Sequence, residues 1–281
     1  MSAARLRLGT SSWSEKAWVG PFYPPGSKPG EFLALYASRY DTVEADVTYY
    51  RIPDDRLVDG WRAKTPDGFR LCAKFPRTIV HAGSGPRPDG ERVLVPEHTR
   101  SETERFLKAM LRLGDRCGPL VLQFPYFNRT AFASKEPFLE RLNDFLGFLP
   151  KDLRYAVELR NRNWLGPDLL AILRTHRVAL TLVDLPYMPS PKSWPKAVEG
   201  SPADLITTDF TYLRLIGDRK KTEEAAEAFD RTVLDLSERL VDWAELVTVL
   251  REQVNEVYGF ANNHFAGYGP GTIDEFADRL G

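Results

Sequence analysis

Apolar positions along this chain fall into short runs with a period of two, separated by longer stretches with a helical period. The run Arg154-Tyr-Ala-Val-Glu-Leu-Arg160 shows the first pattern plainly. Read as a strand, it puts Tyr155, Val157 and Leu159 on one face and Ala156, Glu158 and Arg160 on the other. An ordinary half-buried strand turns its polar face to water. Here several mid-chain strands end in charges of the same inward parity, a pattern that predicts a parallel barrel with a charged mouth. Strands are expected at 6–10, 42–47, 69–75, 120–124, 154–160, 178–183, 212–216 and 256–261. Between them, helical periodicity covers 29–39, 101–113, 135–149, 168–176, one or two helices within 222–252, and a last helix closing at Leu280. A further helix, capped by Asp54 or Asp55, runs to Lys64, and Ser101 with Glu104 has the spacing of a capping box. The stretch 76–99 has no periodicity; it holds Arg77, His81, Arg87, Arg92 and His98 and reads as a lid or binding loop.

Eight strands alternating with helices predict an α/β protein: a single (β/α)₈ TIM-type barrel over residues 1–281, with long loops at its C-terminal face. The competing open doubly wound sheet would carry a glycine-rich phosphate turn after its first strand. Gly9-Thr-Ser-Ser-Trp13 is not G-x-G-x-x-G. No composition break or internal repeat divides the chain.

Composition narrows the partners. Lys and Arg number 38 against 39 Asp and Glu, a formal net charge of −1, so no global basic field argues for nucleic acid. The two cysteines, Cys72 and Cys117, do not make a disulfide framework and favour a reducing compartment. There is no apolar run of membrane-spanning length and no signal-peptide core before Gly9. A cytoplasmic protein with no membrane partner is expected.

In a barrel of this type the site lies at the carboxyl ends of the strands. Inward polar residues expected there are Glu44, Asp46, Lys74, Gln123, Glu158, Arg160, Asp184, Arg214 and Asn262. Interior layers filled only for packing would use Val, Ile and Leu, because an unpaired buried charge costs several kcal/mol. Two readings follow: a ligand site, or an ion network that compensates itself. Glu44 and Asp46, like Glu158 and Arg160, stand two residues apart on one face, roughly 6.5 Å, which suits two poles of a site better than a shared proton. The loops above hold Trp13, Trp18, Tyr49, Tyr50, Trp164, Tyr187, Trp194, Phe265 and Tyr268, able to stack a sugar or a base, although each taken singly is more often a rim anchor. Glu44 and Asp46 are the metal-ligand candidates, with Mg²⁺ or Mn²⁺ favoured by hard oxygen donors and zinc disfavoured by the lack of a histidine motif. Of the four histidines, His81 and His264 follow strands and have access to a site; His176 ends a helix.

The run Gly9-Thr-Ser-Ser-Trp13, Trp18-Val-Gly-Pro-Phe-Tyr-Pro24, Thr42-Val-Glu44 with Tyr49-Tyr-Arg51, Lys74-Phe-Pro-Arg77 with His81, Gln123-Phe-Pro125, Ala156-Val-Glu-Leu-Arg160 with Trp164, and Asn262-Asn263 with Gly267-Tyr268 resembles the YecE-like family, domain of unknown function 72. The resemblance runs in order over nearly the whole chain. It implies a TIM-type barrel, similar to those of sugar isomerases and of a zinc endonuclease, an analogy of fold alone. The family usually has Asn at Asp46, Phe at Tyr49, and an Arg-Leu-His-Gly-like end to the seventh strand where this chain has Arg214-Leu-Ile-Gly217. The added carboxylate at Asp46 favours a cation.

The leading functional expectation is an enzyme using Glu158, Glu44, Asp184 and Lys74 in carboxylate acid/base or divalent-metal-assisted chemistry, a hydrolysis or isomerisation. Arg160, Arg214, Gln123, Asn262, Trp13, Tyr50, Trp164, His81 and His264 would bind a small anionic sugar- or nucleotide-like substrate. The alternatives are a binding or regulatory barrel for an anionic or aromatic ligand and, less favoured, a nucleic-acid-processing hydrolase.

Overall fold

The computed structural model describes residues 4–281. Eight strands run parallel: β1 (Arg5–Thr10), β2 (Thr42–Ala45), β3 (Arg70–Lys74), β4 (Cys117–Gln123), β5 (Tyr155–Glu158), β6 (Ala179–Asp184), β7 (Phe210–Leu215) and β8 (Glu256–Ala261). They pair in the order β1-β8-β7-β6-β5-β4-β3-β2, with helices between successive strands, which is the predicted TIM-type barrel.

Among the described residues no ladder joins β1 to β2, and the barrel closes there by side chains. The buried Tyr36 hydroxyl accepts from the Thr10 backbone N–H at 2.7 Å and donates to the Thr42 carbonyl at 3.2 Å, bridging the two strands. Gly9 is required at this seam because a Cβ would lie 2.3 Å from the Thr42 carbonyl oxygen.

Of two helix starts read from the sequence, one holds and one does not. Asp54 does cap helix Asp55–Ala63, accepting from the Leu57 N–H at 2.8 Å. The next long helix spans Pro96–Leu111, so the Ser101/Glu104 capping box is wrong and Ser101 lies inside it. Proline suits the first helical turn because the N–H it lacks would have no partner there. The stretch expected as a structureless loop carries a short helix, Arg77–Val80, at its start. Among the described residues no helix is long and apolar enough to cross a membrane.

The barrel interior has three levels. At the N-terminal mouth Arg7 donates to Glu256 at 2.7 Å and to Asp41 at 2.9 Å, and Arg154 pairs with Glu256 at 2.7 Å while lying over the Phe210 and Tyr258 rings. A plug of Cys72, Val121, Ala156, Ala179, Phe210, Tyr212, Tyr258 and Phe260 fills the middle. Above it, at the strands' carboxyl ends, charged side chains take over. The apolar plug separates the two charged mouths, so the upper charges must be satisfied where they stand.

Candidate functional site

Strand alternation delivers Glu44 from β2, Lys74 from β3, Gln123 from β4, Glu158 from β5 and Arg214 from β7 to one inner level. Arg214, fully buried, holds the centre. Its Nε and Nη2 donate to Glu44 Oε1 at 3.1 and 2.8 Å, and its Nη1 donates to Gln123 Oε1 at 2.7 Å and to Glu158 Oε2. Tyr212, two residues before Arg214 on the same face, donates its hydroxyl to Glu44 Oε2 at 2.8 Å. Arg160 donates from Nε to Glu158 Oε1 at 2.8 Å. Lys74 Nζ lies 3.6 Å from Glu44 Oε1 and pairs with Asp46, whose Oδ1 is also 4.0 Å from Arg214. Three carboxylates and three cations therefore form one chain from Asp46 to Arg160.

Asp46 reaches this chain by a different route from the one its spacing predicts. β2 ends at Ala45, and Asp46–Tyr49 winds into a 3₁₀ turn. The turn lifts Asp46 to the rim: its side chain keeps 32% exposure while its Oδ1 is buried. Glu44 and Glu158 have no exposed side-chain surface.

The carboxyls divide accordingly. Burial alone would raise Glu158, but Arg214 and Arg160 outweigh it and hold this carboxyl at about 2. Glu44 is likewise held below its ordinary value, burial being overcome by Arg214 and Lys74. Asp46 moves upward: burial raises it, Lys74 opposes, and the neighbouring Glu44 carboxylate adds to the rise. Asp46 is paired with Lys74 and still moves upward, and it is the most exposed carboxyl of the three, which leaves it the one closest to proton exchange.

A cavity of about 860 Å³ borders Asp46. It is built from three segments that only the fold brings together: the loop after β1, the stretch 29–33 and residues 46–64. Trp13 and Trp61 meet in it edge to face, ring centroids 5.7 Å apart, and Tyr50 stands 79% exposed at its margin. Arg51, Arg56 and Lys64 bring positive charge to its wall against Asp46 and Asp54. Of these, Trp61 and the basic trio escape sequence reasoning, because they lie on a helix and loop whose pattern marks only an amphipathic face. Tyr212 could have been found, since it shares Arg214's strand parity.

Several expected site residues lie elsewhere. Asp184 is not in the ring: it follows Leu180 and Leu182 on the outward face of β6, where its Oδ2 accepts from Trp243 Nε1 at 2.6 Å and Arg239 Nε at 2.5 Å. Every residue of β6 before it is apolar or Thr, so the sequence carries no sign of which face is inward. Asn262 caps the short helix Asn263–Ala266, its Oδ1 accepting from the His264 N–H at 3.0 Å. His264 is held there, its Nδ1 2.7 Å from Asn262 Oδ1 and its Nε2 3.2 Å from Glu223. His81 is buried within its own loop; its Nδ1 accepts from the Gly83 N–H at 3.2 Å and its Nε2 faces the Pro86 carbonyl. Burial and the Arg77 charge lower its pKa, favouring the neutral ring this pairing needs. Trp164 packs into Phe127, Phe132 and Phe138, and Trp18, Trp194 and Phe265 are fully buried, so these four are anchors of the rim.

The metal expectation at Glu44 and Asp46 also fails on geometry. The position between the two carboxylates is taken by the Lys74 ammonium, with the Arg214 guanidinium beside it. Among the described residues no group of three His, Cys, Asp or Glu side chains converges as metal ligands would.

Comparison with known proteins agrees with the geometry of the fold. The family model described as "Protein of unknown function DUF72" matches residues 7–281. UPF0759 protein YunF of Bacillus subtilis is 25% identical over 281 residues, 93% of this chain and 90% of that protein. UPF0759 protein YecE of Escherichia coli is 32% identical over 156 residues, 56% of this chain, and the match spans only about half of that relative, 48%. The crystal structure of a DUF72 family protein from Thermotoga maritima superposes with a TM-score of 0.70 at 27% identity, covering 98% of this chain and 99% of that one.

Proposed function

The chain belongs to the DUF72 family, and from that premise we propose that it is an enzyme in which Asp46 exchanges protons with a small anionic, sugar- or nucleotide-like substrate held in the cavity beside it. One observation carries the reading: of the three carboxyls in the buried network, Asp46 alone both borders the large cavity and is pushed upward in pKa. Environments that drive neighbouring carboxyls apart divide them into proton donor or acceptor and fixed charge. Glu44 and Glu158 stay ionised and hold Lys74 and Arg214 in place. These two cations face Asp46 and stabilise its carboxylate after it gives up a proton, so the group can cycle. Trp13, half-buried and braced by the buried Trp61, suits the apolar side of a sugar ring, and Arg51, Arg56 and Lys64 suit its anionic group. The chemistry is proton transfer, of the kind used in isomerisation or hydrolysis.

A second reading, a barrel that binds without chemistry, draws on the complete pairing of Glu158 with Arg160 and Arg214. Solvent-deuterium incorporation into a panel of aldose and ketose phosphates, followed by proton NMR, separates the two. The wild type is expected to exchange a carbon-bound proton of one member, and Asp46→Asn to slow this by about 10²-fold or more with an unchanged melting temperature. Undiminished exchange in Asp46→Asn would overturn the assignment; saturable binding with no exchange for any member would favour the second reading.

A further inference from the structure

Across the barrel mouth from the Asp46 cavity, the loops after β4, β5 and β6 line a separate, open pocket of about 400 Å³, formed by Tyr126, Arg160, Arg162, Asn163, Tyr187 and Ala197. Its makeup is unusual for a surface hollow. Arg160 keeps only 24% of its side-chain exposure and is fixed by one bond, Nε to Glu158; among the described residues its terminal guanidinium N–H groups have no protein partner. The side chains of Arg162 and Asn163 likewise make no hydrogen bond or ion pair among the described residues. Tyr126 and Tyr187 stand 59% and 50% exposed beside them, each presenting aromatic surface to the pocket. The pocket therefore gathers two guanidiniums, an amide and two aromatic faces, with no carboxylate in its lining.

We infer that this pocket is a binding site for a phosphorylated aromatic ligand of nucleoside-monophosphate size, distinct from the substrate cavity at Asp46. The phosphate is taken by Arg160 and Arg162, whose planar forks match its oxygens. The planar ring lies against Tyr126 or Tyr187, since stacking on an aromatic face accepts any base. The volume is in the range that encloses ligands of this size. Glu158 contributes by orienting Arg160: its Oε1 fixes Nε, and the remaining N–H groups are left for the ligand.

Isothermal titration calorimetry of the full chain with adenosine monophosphate, adenosine and inorganic phosphate tests the site. Adenosine monophosphate is expected to bind saturably and more tightly than either fragment. Arg162→Ala, an exposed position whose loss leaves the fold intact, is expected to weaken it about tenfold or more, as the loss of one charge-assisted hydrogen bond requires. Tyr187→Ala is expected to weaken adenosine monophosphate while leaving inorganic phosphate unchanged. Equal affinity in the wild type and Arg162→Ala, or no binding of adenosine monophosphate, overturns the site; inorganic phosphate binding as tightly as the nucleotide overturns the aromatic platform. Asp46→Asn is expected to keep saturable nucleotide binding, at least as tight as in the wild type because a negative charge has been removed from the same network, so loss of proton exchange in that variant and loss of nucleotide binding in Arg162→Ala test separate assignments.

Discussion

The two oxygens of Glu158 are divided between two guanidiniums, Oε1 with Arg160 and Oε2 with Arg214, and the side chain has no exposed surface. A carboxyl held at about 2 is a weak base, and removing its charge leaves two arginines facing an amide. Glu158→Gln is therefore expected to lose about 3–5 kcal/mol of stability, the usual result of breaking one side of a buried pair. Urea unfolding at neutral pH checks this, and an unshifted midpoint would show that Arg214 is satisfied by Glu44 and Gln123 alone. The same group sets an acid limit. Its folded pKa lies below the ordinary 4.5, so the stabilisation it confers is fully present above that value and is lost as pH falls towards 2. Glu44 acts in the same direction. Asp46, raised in the fold, acts in the opposite one: its contribution falls as pH rises through its folded pKa. Acid unfolding of Glu158→Gln followed by circular dichroism should show a flatter loss between about pH 4.5 and 2 than the wild type, because the group responsible for that slope has gone.

The strands were legible because inner and outer faces of a barrel strand alternate, and a charged residue on an otherwise apolar strand declares its face. Glu44, Lys74, Gln123, Glu158 and Arg214 were found in this way. β6 defeats the rule because both its faces are apolar, and Asp184 was placed inward when it ties the strand to Trp243 and Arg239 of helix Ser237–Arg251. Asp46 was found for an incomplete reason, since its position depends on a 3₁₀ turn and not on strand parity. The two cavities were invisible because each is made where loops from different strands meet. The β1–β2 seam was equally hidden, and it carries its own prediction. Tyr36→Phe removes the hydroxyl that serves both Thr10 N–H and Thr42 C=O, leaving two buried backbone groups without that partner. A loss of about 1–3 kcal/mol is expected, with faster hydrogen exchange at the Thr10 amide. Wild-type protection at Thr10 in the variant would mean that the strands close without the tyrosine.

Across the whole molecule, the six charges form a continuous path between two openings. Asp46 meets Lys74, Lys74 and Arg214 share Glu44, Arg214 and Arg160 share Glu158, and Arg160 faces the second pocket. The apolar plug shields this path from below, and the path's central members Glu44, Arg214 and Glu158 are fully buried, so the charges there are weakly screened. The path is neutral as it stands: each cation is matched, and Asp46 is the carboxyl with access to solvent. A phosphate bound at Arg160 adds negative charge at the far end without adding a cation. The excess must be felt at Asp46 as a further rise in its pKa, because the protonated form is the one that removes a negative charge from the path. Carboxyl carbon-13 NMR of Asp46, titrated with and without saturating adenosine monophosphate, is expected to show the midpoint move upward on binding, and more so at low ionic strength if solvent lies between the sites. No movement in Asp46 with the nucleotide bound would mean that Glu158 and Glu44 absorb the field locally, making the two pockets independent sites that share only a structural scaffold of charges.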